Sequence, residues 1–108
     1  MRLRNAVLAA TSAIALVLAV PTSANAATGE FLYRVGSGLP SGLTDPEGGV
    51  CINLPGATDA EPAFAPRNIT TSTATVFLEF DCDGDTFYVM NPGKILGNRL
   101  KLRSVVFS

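Results

Sequence analysis

The chain has 108 residues, eight Lys or Arg against nine Asp or Glu, no histidine, and a formal net charge of −1. Without histidine the usual general base, the Ser-His-Asp and Cys-His nucleophiles and most zinc sites are excluded. The mildly acidic balance excludes nucleic acid as a general partner, because phosphate binding needs a basic surface that releases counterions.

Residues 1–5 carry Arg2 and Arg4, Ala6 to Val20 is an uncharged apolar run, and the next residues end in Ala24-Asn25-Ala26. This is the pattern of a secretory signal peptide, a signal helix over 1–26 cleaved after Ala26. Its apolar core, about fifteen residues, is short for a membrane span. An uncleaved anchor or a buried helix is the competing reading, but neither a stop-transfer pattern nor a cationic flank follows the run. The short two-arginine start and Ala-rich core look bacterial. What remains, residues 27–108, suffices for one domain with one thin core. Losing Arg2 and Arg4 moves the net charge to about −3. No other span is apolar enough to cross a bilayer, so the mature form is expected to be secreted, extracellular and free of membrane.

Cys51 and Cys82 are the only cysteines. In an oxidising exterior they are expected to form one intramolecular bridge. Closing that loop stabilises the fold by roughly 3 to 4 kcal/mol in the chain-entropy model. Free or intermolecular thiols are the alternative, and the spacing matches no metal or redox motif.

The first strand is expected at Phe31 to Val35. Gly36 to Gly49 is rich in glycine, with Pro40 and Pro46, and reads as a long loop. Val50 to Leu54 reads as a second strand ended by Pro55-Gly56, and Ala57 to Pro66 as a second loop stiffened by Pro62 and Pro66. Arg67 to Ser72 is short and Thr-rich, an edge strand. Thr75 to Phe80 and Thr86 to Met90 form a hairpin across the acidic turn Asp81 to Asp85. After Asn91-Pro92-Gly93 a last strand is expected over Arg99 to Phe107. Outside the leader no helical period is found, so the domain is all-β, small and antiparallel.

The two halves, 27–73 and 74–108, read as copies. Cys51-Ile52-Asn53-Leu54-Pro55-Gly56 aligns with Tyr88-Val89-Met90-Asn91-Pro92-Gly93. With one residue inserted, Arg67-Asn68-Ile69 aligns with Arg103-Ser104-Val105. Repeated units that bury a face against each other are the physical expectation, although two β stretches can also look alike by chance.

The second copy contains Phe77, four residues, Cys82, one residue and Gly84, followed by Ser104 in the closing strand. It resembles the βγ-crystallin Greek-key motif, in which an aromatic, four residues, a second aromatic, any residue and glycine precede a serine in the last strand. Cys82 stands where the family has the second aromatic. Gly84 has a physical reason, since a folded-over hairpin needs positive φ. The resemblance implies a small antiparallel double Greek-key sandwich, to which the cysteine count adds one disulfide. It also implies three kinds of function: calcium binding, inhibition of a metallopeptidase by a small secreted bacterial protein, or a killer-toxin-like role.

Calcium in that family is held by two successive Asn or Asp, two spacers, then Ser or Thr and Ser, because hard cations take oxygen ligands. Arg67-Asn68-Ile69-Thr70-Thr71-Ser72 offers Asn68 and Ser72 but puts arginine first. Asp81, Asp83 and Asp85 are the other candidate ligands, and a solvated acidic turn explains them equally well. No cofactor is otherwise expected. Glu79 joins those three carboxylates on one turn, but with no cleft around them to raise a pKa, no enzyme is expected.

Inhibition of a peptidase needs only a rigid convex loop on a braced scaffold. Gly36 to Gly49 and Ala57 to Pro66 are the two candidates. The second, carrying Phe64, Ala65 and Pro66, is favoured because glycine-rich loops are floppy. Arg99, Lys101 and Arg103 alternate with Leu100 and Leu102, giving a basic strip on one face of the last strand. That strip either keeps an edge soluble or docks an acidic partner such as a cell-wall polymer or another secreted protein. The function is therefore expected to be that of a secreted binding protein, a peptidase inhibitor acting through an exposed loop. The alternative is an adaptor or structural subunit of a secreted bacterial toxin assembly, joined through an exposed edge strand or through Ala27 to Phe31. Either reading requires another secreted protein as partner. Intact-mass measurement of the secreted protein is expected to give a chain that begins at Ala27; a chain that keeps residues 1–26 would refute the leader.

Overall fold

The computed structural model describes residues 26–108, so the leader expected over 1–26 lies, except for Ala26, outside the described residues. Two antiparallel sheets face each other. The first holds β2 (Leu39–Thr44), β1 (Gly29–Val35) and β4 (Phe64–Thr70), in that order. The second holds β3 (Cys51–Asn53), β7 (Ser104–Phe107), β5 (Ala74–Phe77) and β6 (Phe87–Met90).

Period-two patterning decides which side of each strand meets the core. β1 turns Phe31 and Tyr33 inward and leaves Glu30 and Arg34 outward. β5 turns in Ala74 and Val76, which pair with Phe107 and Val105 of β7. The inward sets of the two sheets meet in one cluster, where the Phe31 and Phe107 rings lie edge to face with centroids 5.5 Å apart. Met90, Leu54 and Leu102 complete the same core.

Three sequence expectations change in the structure. Gly36 to Gly49 is not a loop throughout, because Leu39–Thr44 forms β2. β2 is an outer strand, where Pro40 lacks an N–H at little cost. Gly42 suits it as well, since a Cβ there would come within 2.9 Å of Leu32 Cδ2. Ala57 to Pro66 is a loop only as far as Pro62. Ala63 bridges to Leu102, and Phe64, Ala65 and Pro66 belong to β4. The last strand is shorter than Arg99 to Phe107, because the inward set slips by one residue, from Leu102 to Val105 and Phe107. Leu102 exchanges both backbone hydrogen bonds with Ala63 beside the first sheet, whereas Val105 pairs within the second.

Each half lends an extended segment to the other half's sheet. β3 pairs with β7, and the Asn68 N–H donates to Lys94 O while the Leu96 N–H donates to Pro66 O beside β4. Cys51–Asn53 thus crosses to the opposite sheet, whereas Tyr88 to Met90 lies in β6 and pairs with β5 of its own half. These two aligned stretches therefore hold different places in the strand order. The residues of the second alignment also differ in their partners: the Asn68 amide donates to Met90 O and Ser72 O, whereas the Ser104 hydroxyl accepts from the Cys82 N–H and donates to Glu79 O.

The cysteines form the expected bridge. Cys51 and Cys82 are disulfide-bonded with Cα atoms 5.9 Å apart, joining β3 to a short 3-10 turn, Phe80–Cys82. Among the described residues no helix is long and apolar enough to cross a membrane.

Tyr33 is 2% exposed, and its hydroxyl donates to Pro55 O at 2.9 Å, tying β1 to the turn after β3. Burial raises its pKa above the ordinary 10.0, against a smaller lowering by a Ser41 hydrogen bond. The unfolded chain therefore ionises first. Stability from this group is complete below pH 10 and is lost as pH climbs from there toward the raised native value. Urea unfolding across alkaline pH is expected to show this decline in the native chain and a flatter limb in Tyr33→Phe; equal limbs would contradict it.

Candidate functional site

The residues following β5 fold over the outer face of the second sheet. Asp81 and Cys82 have φ of 62° and 52°, and Gly84 has φ 85°, the left-handed backbone expected for that glycine. Ser104, wholly buried, secures the fold-over: its hydroxyl accepts from the Cys82 N–H at 2.8 Å and donates to Glu79 O. Asn53 of β3 adds a reciprocal pair, accepting from the Asp81 N–H at 2.7 Å and donating to Asp81 Oδ1 at 3.0 Å. The disulfide lies beside these contacts, so serine, asparagine and cystine brace one hairpin.

This geometry also shows what the candidate cation ligands do. Asp81 receives the Asn53 amide, and Asp83 Oδ1 accepts the Gly84 N–H at 3.0 Å. Asp85 is exposed. Among the described residues no three of His, Cys, Asp and Glu gather around one point. Asn68 is committed to the fold. Its Nδ2 donates to Met90 O and Ser72 O, each at 2.8 Å. Its Oδ1 accepts from the Thr70 N–H at 3.1 Å and lies 2.7 Å from the Thr70 hydroxyl. Every donor and acceptor position of that buried amide is filled. Ser72 takes part through its backbone carbonyl and N–H.

The candidate partner-binding residues separate into buried and exposed groups. Pro66 is buried, Phe64 and Ala65 are half-buried, and Ala65 has φ 53°, strained for a residue with a Cβ. Arg99 and Lys101 are exposed, whereas the Arg103 side chain is only 17% exposed. The Arg103 guanidinium donates to Leu78 O at 2.8 Å, Asp59 O at 2.8 Å and Thr58 O at 3.2 Å. The three cations therefore do not form one strip: Arg103 turns in and clamps the 57–62 loop to the second half. That loop is also closed on itself, the Glu61 N–H donating to Thr58 Oγ1 and the Thr58 N–H to Glu61 O. Beside it a hollow of about 250 Å³ is lined by Glu61, Pro62, Phe64, Leu100 and Lys101.

A larger trough of about 460 Å³ lies on the outer face of the first sheet, between Arg34, Arg67 and Ile95. The sequence places Arg34 within the first expected strand and holds no sign that the 95–98 stretch would lie alongside.

Comparison with known proteins finds no matching family model, no matching curated protein and no matching solved structure.

The roles of Asn68 and Ser104 separate in stability measurements. Asn68→Ala removes the amide partner of Met90 O and of the Thr70 N–H, while Ser72 O keeps the Thr70 hydroxyl. At about 1–3 kcal/mol for a buried unsatisfied group, the loss of unfolding free energy is expected to exceed about 2 kcal/mol, with Ser104→Ala costing about 1–3 kcal/mol. Denaturant titrations in which Asn68→Ala matches the native chain would make Asn68 dispensable to the fold and return it to the ligand candidates.

Proposed function

We propose that this chain is a small extracellular protein-binding module on a βγ-crystallin-like double Greek-key scaffold, acting as a peptidase inhibitor through the 57–62 loop. The scaffold reading is supported by the mutual exchange of a third extended segment between the halves, by positive φ at Gly84, and by Ser104 bonded beneath the folded hairpin. Cys82 replaces the family's second aromatic and spends that position on the bridge to Cys51. The disulfide also favours an oxidising exterior.

The observation that carries the inhibitor reading is the Arg103 clamp. Three guanidinium hydrogen bonds and a Thr58–Glu61 closure hold the loop before any partner arrives. Ordering met in advance is not charged to binding. Asp59 at the tip is almost fully exposed, its side chain at 97%. The partner is a secreted peptidase.

A second reading is favoured by β6. This outer strand exposes Phe87, Tyr88 and Val89 at 51%, 39% and 54%, with no charge and no proline between Phe87 and Met90. The other sheet's outer strand β2 is blunted by Pro40. An adaptor that accepts a partner's strand along β6 follows from that edge.

The oxidised protein is expected to slow at least one extracellular peptidase, with inhibition weakened about tenfold by Arg103→Ala, equivalent to ~1.4 kcal/mol, and abolished when residues 57–62 become Gly and Ser. No inhibition across a panel of secreted peptidases, together with a stable large partner captured from culture medium and lost on Val89→Lys, would reject the loop in favour of the β6 edge.

A further inference from the structure

The trough on the first sheet is built from outward strand positions that the inhibitor loop does not use. Leu32 and Arg34 point out from β1; across the ladders Arg67 lies opposite Leu32, and Pro40 opposite Arg34. Arg34 is thus two residues along β1 from the partner of Arg67, and both line the trough. Between them the register shifts, Leu32 facing Arg67 but Arg34 facing Phe64, so β4 carries one extra residue. Ala65, at φ 53°, sits in that bulge and lines the trough. Bulges and strained residues of this kind gather where a protein re-aims side chains toward a ligand. The far wall is Ile95, 60% exposed and bridged to Arg67.

The charges are one-sided. Among the described residues no carboxylate lines the trough, although the whole chain has more acids than bases. Arg34 is steadied by donating to Gly38 O at 3.1 Å. Among the described residues the Arg67 guanidinium has neither an ion pair nor a hydrogen bond. A guanidinium presents a planar fork that fits a carboxylate with two parallel hydrogen bonds. Leu32, Pro40 and Ile95 offer apolar surface beside it. The trough is open along one side, so a small free acid would stay mostly wet, whereas specific pockets bury about 70–90% of a small ligand. An extended chain laid across the sheet fills such a shape better.

We propose that this trough binds an extended segment of a partner protein in which an Asp or Glu side chain neighbours an aliphatic one. Arg67 receives the carboxylate with Arg34 beside it, and Leu32 and Ile95 take the aliphatic group. This surface is separate from the 57–62 loop and does not rest on the inhibitor reading.

The test uses the oxidised protein and a fluorescein-labelled seven-residue peptide centred on Glu-Leu-Glu, with a Gln-Leu-Gln peptide and isovalerate as comparisons. Anisotropy is expected to show binding of the Glu peptide only, weakened at least fivefold between 50 and 500 mM salt as exposed charges are screened. Arg67→Gln is expected to weaken it about tenfold and Ile95→Ser several-fold, with thermal unfolding unchanged because both side chains are exposed. Amide shifts in NMR spectra are expected at Leu32, Arg67 and Ile95. Replacing residues 57–62 with Gly and Ser is expected to leave this binding intact, which separates it from the loop's activity. Equal binding of the Glu and Gln peptides, or full affinity in Arg67→Gln, overturns the proposal. Isovalerate binding as tightly as the peptide, with the same shifts, overturns the peptide segment in favour of a small acid.

Discussion

The Asn68 side-chain amide joins parts of the chain that no sheet ladder connects. Asn68 belongs to β4 in the first sheet, yet its Nδ2 reaches Met90 O at the end of β6 in the second. Its backbone also donates to Lys94 O and accepts from the Gly93 N–H, so the turn after β6 is held against β4. A buried amide is costly unless all its hydrogen-bonding positions are met, and here the Thr70 and Ser72 groups supply the remaining partners. That requirement makes the placement of the two sheets specific, which the thin apolar cluster alone would not.

A second brace, around β3, β7 and the 3-10 turn, works by different chemistry. The disulfide limits the unfolded chain, while Ser104 and Asn53 satisfy the backbone of a hairpin whose left-handed residues would otherwise be strained. Arg103 extends this brace to the 57–62 loop through three carbonyls. Carbonyl partners suit the guanidinium because they leave its charge accessible on one side, where the exposed Asp59 carboxylate lies at 4.0 Å from Nε. An ion pair so exposed contributes little stability, so the clamp's strength lies in the hydrogen bonds.

With polar groups committed in this way, three exposed surfaces differ in chemistry. The 57–62 loop is clamped and carries the exposed Asp59 carboxylate, the β6 edge is uncharged and apolar, and the trough between β1, β4 and Ile95 is cationic. One small scaffold thus presents three unlike faces.

The sequence by itself determined the all-β character, the rough places of β1, β5 and β6, the expected Cys51–Cys82 pairing and the need for positive φ at Gly84. Each of these rests on local alternation, on turn chemistry or on a pair count with one solution. It did not determine β2, because glycine and proline read as loop until an edge position makes Pro40 tolerable and Leu32 fills the space above Gly42. It offered Asn68 as a ligand candidate and Arg103 as a docking residue without showing that both side chains hydrogen-bond within the fold, because a polar side chain carries no local sign of whether its partners are solvent, ligand or backbone. Only the tertiary structure decided those roles, along with the exchange of segments between sheets and the trough, since each brings together residues far apart in the chain whose meeting no local period encodes.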